Sequence, residues 1–204
     1  MEPAKHWQAV YTEKNARDVS WYRPRLDRSL ALIDALGLSA AARILDAGGG
    51  ASSLVDDLLA RGLERPTVVD LAAAALEVSK ARLGERASEV TWIVGDVTTR
   101  LVAASSLDLW HDRAVFHFLT DPAPRASYVE RMTEALRAGG HAVIATFALD
   151  GPERCSGLPV ARYDADGIAR ALGPGFEKIA EAREVHETPK GGQQAFTYCV
   201  CRKR

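Results

Sequence analysis

Three carboxylates, each placed at the end of a short apolar run, are the first sign of chemistry in this sequence. Ile44-Leu45-Asp46-Ala47-Gly48-Gly49-Gly50-Ala51-Ser52 runs from a strand pattern through a glycine turn into a helix pattern. A turn this tight needs positive φ and close backbone approach, which glycine supplies without a Cβ clash. Asp46 stands just ahead of the turn. A second run ends in Asp70, 24 residues further on, and a third ends in Gly95-Asp96-Val97. If the runs are neighbouring parallel strands, the three carboxylates share the sheet edge where open α/β proteins bind ligands. Counted from Gly48, a G-x-G-x-x-G/A dinucleotide pattern would end on Ser53, and a carboxylate at Asp46 would repel a pyrophosphate. Asp46 suits a ligand with a cationic head, an ammonium or a sulfonium. Asp70 is placed to accept from both hydroxyls of a ribose, and Asp96 from an exocyclic adenine amine.

A second polar cluster lies in Leu109-Trp110-His111-Asp112-Arg113-Ala114-Val115-Phe116-His117-Phe118. His111, Asp112, Arg113 and His117 are unusually polar for a strand-to-helix junction, and one of them is expected to meet a substrate. The plainer alternatives are that Asp112 and Arg113 pair or cap the helix, and that His117 is a buried histidine. A cation such as Arg113 would steady an anionic nucleophile, whereas His111, His117 or Asp112 could take the proton of an amine. The residues leave that choice open. Cys155-Ser156-Gly157-Leu158-Pro159-Val160, with Tyr163 close by, is a candidate substrate wall in which Cys155 can equally be a buried thiol without a role. His186, beside a turn, is expected to be exposed. The Arg202-Lys203-Arg204 tail is expected to be a solvated end.

The elements that must position these residues follow from periodicity. Trp7, Val10, Tyr11 and Lys14 fall at helical spacing over residues 4–14, and Leu26, Leu30, Ile33 and Leu36 do so before Gly37. Then apolar runs at 43–45, 67–69, 90–94, 107–110 and 142–147 alternate with helices near 51–61, 72–83, 114–119 and 124–138. That alternation predicts a five-stranded parallel core covered on both faces. Gly62, Gly84 and Gly139 stand where left-handed helix ends are wanted. A short helix capped at Asp164 follows, then runs at 176–185 and 195–202 joined by Thr188-Pro189-Lys190-Gly191-Gly192, which read as an antiparallel hairpin.

The set Asp46-x-Gly48-x-Gly50, Asp70 and Asp96 resembles the class I, seven-stranded S-adenosylmethionine-dependent methyltransferases. The resemblance spans about residue 43 to the C-terminus. It implies an α/β fold: a doubly wound, mostly parallel seven-stranded sheet with a C-terminal antiparallel hairpin. It further implies that Gly48 and Gly50 pass under the methionine portion, that Asp46 holds the methionyl amine, that Asp70 with Leu71 grips the ribose, and that Asp96 with Val97 binds adenine. His6-Trp7-x-x-x-Tyr11 and Val19-Ser20-Trp21-Tyr22 are similar to the entry segment of small methyltransferases. Trp7, Tyr11 and Tyr22 are accordingly expected on an N-terminal helical lid over the cofactor, with His111 beneath it. His111, Arg113 and His117 are the expected catalytic residues. Asp112, Arg113, Phe116, Phe147 and Tyr163 are expected to bind the substrate.

Composition narrows the function classes. The 204 residues fit one domain, read as a helical extension over 1–42 and a sheet with substrate loops over 43–204. Hydrophobic residues make up 47%, charged residues 26%, and the net charge is −1, which argues against disorder and against a polyanion-binding surface. The three cysteines have neither metal nor disulfide-framework spacing. The first residues lack an apolar leader, and no window approaches a membrane span. The expectation is a cytoplasmic, metal-free enzyme, a monomer or weak dimer. It would methylate a small-molecule thiol, oxygen or amine, with no nucleic acid or membrane partner. Protein N-methylation and a non-catalytic S-adenosylmethionine-binding regulatory module are the alternatives.

Overall fold

A computed structural model describes residues 3–204; Met1 and Glu2, the start of the segment read as lacking a leader, lie outside the described residues. Helices α1 (Pro3–Glu13) and α2 (Asp27–Asp34) precede β1 (Ile44–Ala47). α3 (Leu54–Ala60), β2 (Thr67–Asp70), α4 (Ala73–Leu83) and β3 (Thr91–Val94) follow, then β4 (Leu107–Arg113), α5 (Pro122–Ala135) and β5 (Leu136–Phe147). The chain ends with a two-stranded hairpin β6 (Arg154–Cys155) and β7 (Leu158–Pro159), α6 (Ala165–Leu172), β8 (Phe176–Glu187) and β9 (Gln193–Lys203). The seven-stranded sheet has the order β3-β2-β1-β4-β5-β9-β8, parallel except where β9 joins β5 and β8 antiparallel. The predicted parallel core and terminal hairpin are both present.

Alternation across the sheet divides the core. Leu45, Trp110 and Ile144 face α5 and α6 with Tyr128, Met132 and Ile168, whereas Ile44, Leu109 and Val143 face α2 and α3 with Leu30, Leu54 and Leu58. The central strands β1, β4 and β5 are therefore apolar on both faces, as a doubly covered sheet requires.

Four boundaries differ from the sequence reading. β4 runs to Arg113, not Trp110, so His111, Asp112 and Arg113 belong to a strand with alternating faces. The helix expected at 114–119 is a single 3₁₀ turn, Phe116–Phe118. α5 ends at Ala135, and Gly139 (φ 74°) lies within an irregular start of β5, where the β4 register slips between Leu107 and Leu109. The 151–160 stretch holds the β6–β7 hairpin. The tail is also more than a solvated end, because Lys203 Nζ donates to Thr133 O at 2.6 Å and Leu136 O at 2.7 Å at the end of α5. Among the described residues no helix is long and apolar enough to cross a membrane.

Candidate active site

Parallel pairing puts Asp46 of β1 opposite His111 of β4, and residues in register project from the same face. Their side chains therefore meet. His111 Nδ1 lies 2.7 Å from Asp46 Oδ1, and its Nε2 lies 2.9 Å from Ser29 Oγ on α2, with all three residues buried. A carboxylate only accepts, so Nδ1 carries the proton. His111 is thus clamped at both nitrogens and aims Asp46; the expectation of a base on the acceptor is corrected.

The turn after β1 explains its glycines. Gly48 takes φ +67°, and a Cβ there would overlap a methyl of Val115, the residue that closes the turn from above. At Gly50 a Cβ would stand 2.5 Å from Asp70 Oδ2 and 2.9 Å from the Ala75 Cβ. Gly50 therefore acts by letting Asp70 tuck beneath the turn. Asp70 Oδ1 accepts from Ala72 N at 2.8 Å at the start of α4. Burial, with Asp46 nearby, pushes its pKa up to about 7. A buried carboxylate with so few donors, lining a cleft, is chemically suited to a diol.

Two clefts meet above these strand ends. The first is floored by Gly48, Asp70, Leu71, Gly95 and Val97, from the ends of β1, β2 and β3. The second lies over Asp46, Gly49 and Ser52 and is bounded by Tyr22, Arg23 and Leu26. Tyr11, Trp21, Gly48 and Arg113 border both. A nucleoside with a free diol and a cationic tail fits this donor set, with its diol toward Asp70 and its tail toward Asp46. Among the described residues no group of three His, Cys, Asp or Glu could hold a metal ion.

α1 forms the roof. Gln8 Oε1 accepts from Ala74 N at the start of α4, and His6 Nε2 lies 3.2 Å from Ser156 Oγ in the β6–β7 hairpin. Beneath the helix, Trp7 packs edge-on against Trp21 (5.6 Å) and Phe118 (5.1 Å), and Trp21 Nε1 donates to the Tyr11 hydroxyl at 3.1 Å. Trp21 of the entry segment, Cys155 of the expected substrate wall and Phe118, which was not expected at the site, also line the first cleft. Aromatic spacing alone could not separate Phe118 from core. Burial pushes the Cys155 thiol up to about 12, so it stays protonated.

Arg113 reaches across the sheet. It stands in register with Ala145 of β5, which faces Tyr198 of β9, and the small alanine leaves room for the arginine to pass. Its Nε donates to Tyr198 Oη at 3.2 Å and Nη1 to Trp21 O at 3.3 Å, and the guanidinium lies 4.2 Å from the Phe196 ring centre. Glu184 of β8 lies 3.8 Å from Nη2 and 2.9 Å from Arg23.

Other expected residues turn inward. Asp112 projects from the opposite face and is fully buried, accepting from Val115 N (2.8 Å), Phe116 N (3.0 Å) and Tyr128 Oη (2.6 Å). The expectation that it binds substrate is corrected: it caps the turn after β4. Phe116 and Phe147 are core residues with no exposed surface and line neither cleft. His117 is sealed between the Phe118 and Phe147 rings, and burial lowers its pKa to about 3, so it is a neutral packing residue, not an acid or base at the clefts. Tyr163 stacks on Phe116 with its hydroxyl buried away from both clefts. Asp96 is exposed at the lip and folds onto Thr98 N and Oγ1 at 2.8 and 2.7 Å, so its neighbour Val97 forms the cleft wall. His186 is buried, not exposed, with Nε2 2.7 Å from Ser20 O.

Comparison with known proteins agrees with this fold. A family model described as a methyltransferase domain matches residues 44–140, the stretch from β1 into β5. No curated protein matches the sequence significantly. Among solved structures, an S-adenosylmethionine-dependent methyltransferase from Anabaena variabilis is 16% identical with a TM-score of 0.79, covering 100% of this chain and 96% of its own. The 1,6-didemethyltoxoflavin N1-methyltransferase of Burkholderia thailandensis, solved with that compound and S-adenosylhomocysteine, is 25% identical (TM-score 0.71; 98% and 83% covered). The N-methyltransferase NodS of Bradyrhizobium japonicum, in complex with S-adenosylhomocysteine, is 18% identical (TM-score 0.72; 96% and 97% covered).

Proposed function

We propose that the chain is a class I S-adenosylmethionine-dependent methyltransferase that methylates a small-molecule nucleophile entering between α1 and the β6–β7 hairpin. The observation that carries this reading is the pair of joined clefts: one is floored by the ends of β1, β2 and β3, the other lies over Asp46, and both share Gly48 and Arg113. S-adenosylmethionine supplies a methyl group already activated as a sulfonium, so the protein's task is placement. Asp70 would accept from the ribose hydroxyls, and Asp46, aimed by His111, would face the methionyl ammonium. Leu71 and Val97 would bracket the adenine, and Asp96 at the lip would reach its amine. Trp7, Trp21 and Phe118 would exclude water from the transfer point, and Tyr22 would close the methionine end.

The test is a screen for S-adenosylhomocysteine release over thiols, phenols, amines and peptide lysines. Turnover with small molecules and none with peptides is expected. Exclusive turnover of peptide lysines would move the enzyme to protein N-methylation, and tight donor binding without turnover of any nucleophile would favour a regulatory module.

If α1 is a lid, the amides of residues 6–22 should gain hydrogen-exchange protection when S-adenosylhomocysteine is added, while those of β1 and β4 stay equally slow. Identical protection with and without ligand would make the roof a permanent part of the core.

A further inference from the structure

Building on that reading, we propose that the methyl acceptor is a planar acid, such as an aromatic thiol, a phenol or an acidic ring N–H. Its conjugate base would be the nucleophile, received by Nη2 of Arg113. Arg113 lies at the boundary shared by the two clefts, and its side chain is only 6% exposed. Nε and Nη1 have partners in Tyr198 and Trp21, but Nη2 is buried with no hydrogen bond. A guanidinium is always charged, and leaving a buried N–H of it unpaired is costly unless a ligand completes it.

The local charge count points the same way. One carboxylate, Glu184, serves both Arg23 and Arg113 and also accepts from the Tyr198 hydroxyl at 2.8 Å. Two guanidinium groups share one carboxylate, leaving a surplus positive charge beside the cleft. With the donor bound, Asp46 would be matched by the methionyl ammonium, and Asp70 lies on the nucleoside side. A protonated amine would add another cation there, whereas an anion between Arg113 and a sulfonium meets attraction from both sides. Among the described residues, no side chain lining the first cleft on the acceptor side can serve as a base: His117 and Asp112 lie outside it, sealed in the core, and the Cys155 thiol is held protonated. An acid that ionises on binding needs none. Its proton passes to solvent and its lone pair forms the bond to the methyl carbon. The C–S bond breaks with its electrons moving to sulfur, and two neutral products result. Planarity follows from the aromatic walls of Trp7, Trp21 and Phe118.

The experiment uses 4-nitrophenol, whose phenolate absorbs in the visible, titrated in the presence of protein saturated with S-adenosylhomocysteine. Wild-type protein should lower the phenol's apparent pKa. Arg113→Lys should lower it less, and Arg113→Met combined with Glu184→Gln, which removes both charges while leaving an amide acceptor for Arg23 and the Tyr198 hydroxyl, should not lower it. In parallel, thiophenol and 4-nitrophenol should be methylated in preference to aniline and benzylamine. Arg113→Lys should reduce kcat/KM for the acids about 10- to 150-fold while calorimetric affinity for S-adenosylhomocysteine stays within about twofold. Preference for the amines, absence of a phenolate signal, or loss of S-adenosylhomocysteine affinity in Arg113→Lys would each overturn the proposal. Bound and ionised 4-nitrophenol without transfer to any small molecule would leave the Arg113 site standing and count against the proposed function instead.

Discussion

Replacing Asp70 with asparagine is expected to weaken ligand binding and, at the same pH, to stabilise the ligand-free protein. In the fold its carboxyl titrates near 7 because burial disfavours the ion, whereas in the unfolded chain it titrates near ~3.9. The folded state therefore holds this proton more tightly. The group favours folding most below the unfolded pKa, and that contribution is lost as pH rises through about 4 to 7. At pH 8 the ligand-free protein carries a buried, thinly solvated carboxylate, and asparagine removes that charge, so the melting temperature should rise. Affinity for S-adenosylhomocysteine should fall by about 1.5–3 kcal/mol, roughly 10- to 150-fold, because a charge-assisted acceptor for two hydroxyls is lost. Wild-type affinity should itself drop about tenfold between pH 8 and pH 6 as Asp70 protonates, and the asparagine variant should be flat over that range. Calorimetry and thermal melts at both pH values test this. Unchanged affinity in Asp70→Asn would remove the residue from the site.

Asp112→Ala is expected to be a folding mutation and not a catalytic one. It would orphan Val115 N, Phe116 N and the Tyr128 hydroxyl in the core, at about 1–3 kcal/mol for each unsatisfied group before relaxation. A net loss of about 2–5 kcal/mol should lower the melting temperature by roughly 5–20 °C for a chain of this size. Turnover per folded molecule should stay close to wild type. The opposite pattern, an unchanged melt with turnover reduced about 10²–10⁴-fold, is what a general base would give, and it would mean that Asp112 reaches the reacting atoms.

What the linear sequence determined is the part set by local rules. Alternating apolar runs and helical spacing require a covered parallel sheet. Strand-end carboxylates and a glycine turn require a ligand edge, so Asp46, Gly48 and Asp70 were legible as a group. Asp112 could also have been read, because a strand continued past Trp110 puts it on the face opposite His111 and Arg113. Ending the strand at Trp110 merged two faces into one polar junction, and the period of two then gave no help.

Only the tertiary structure decided what each polar side chain meets. The Asp46–His111 contact depends on the register between β1 and β4, 65 positions apart. Arg113, Glu184, Tyr198 and the carbonyl of Trp21 come from β4, β8, β9 and the segment before α2. His117 and His186 are buried because of aromatic and backbone neighbours supplied by distant segments. Periodicity specifies which way a side chain leaves its own element, and the partner it finds there depends on long-range pairing that no local pattern encodes.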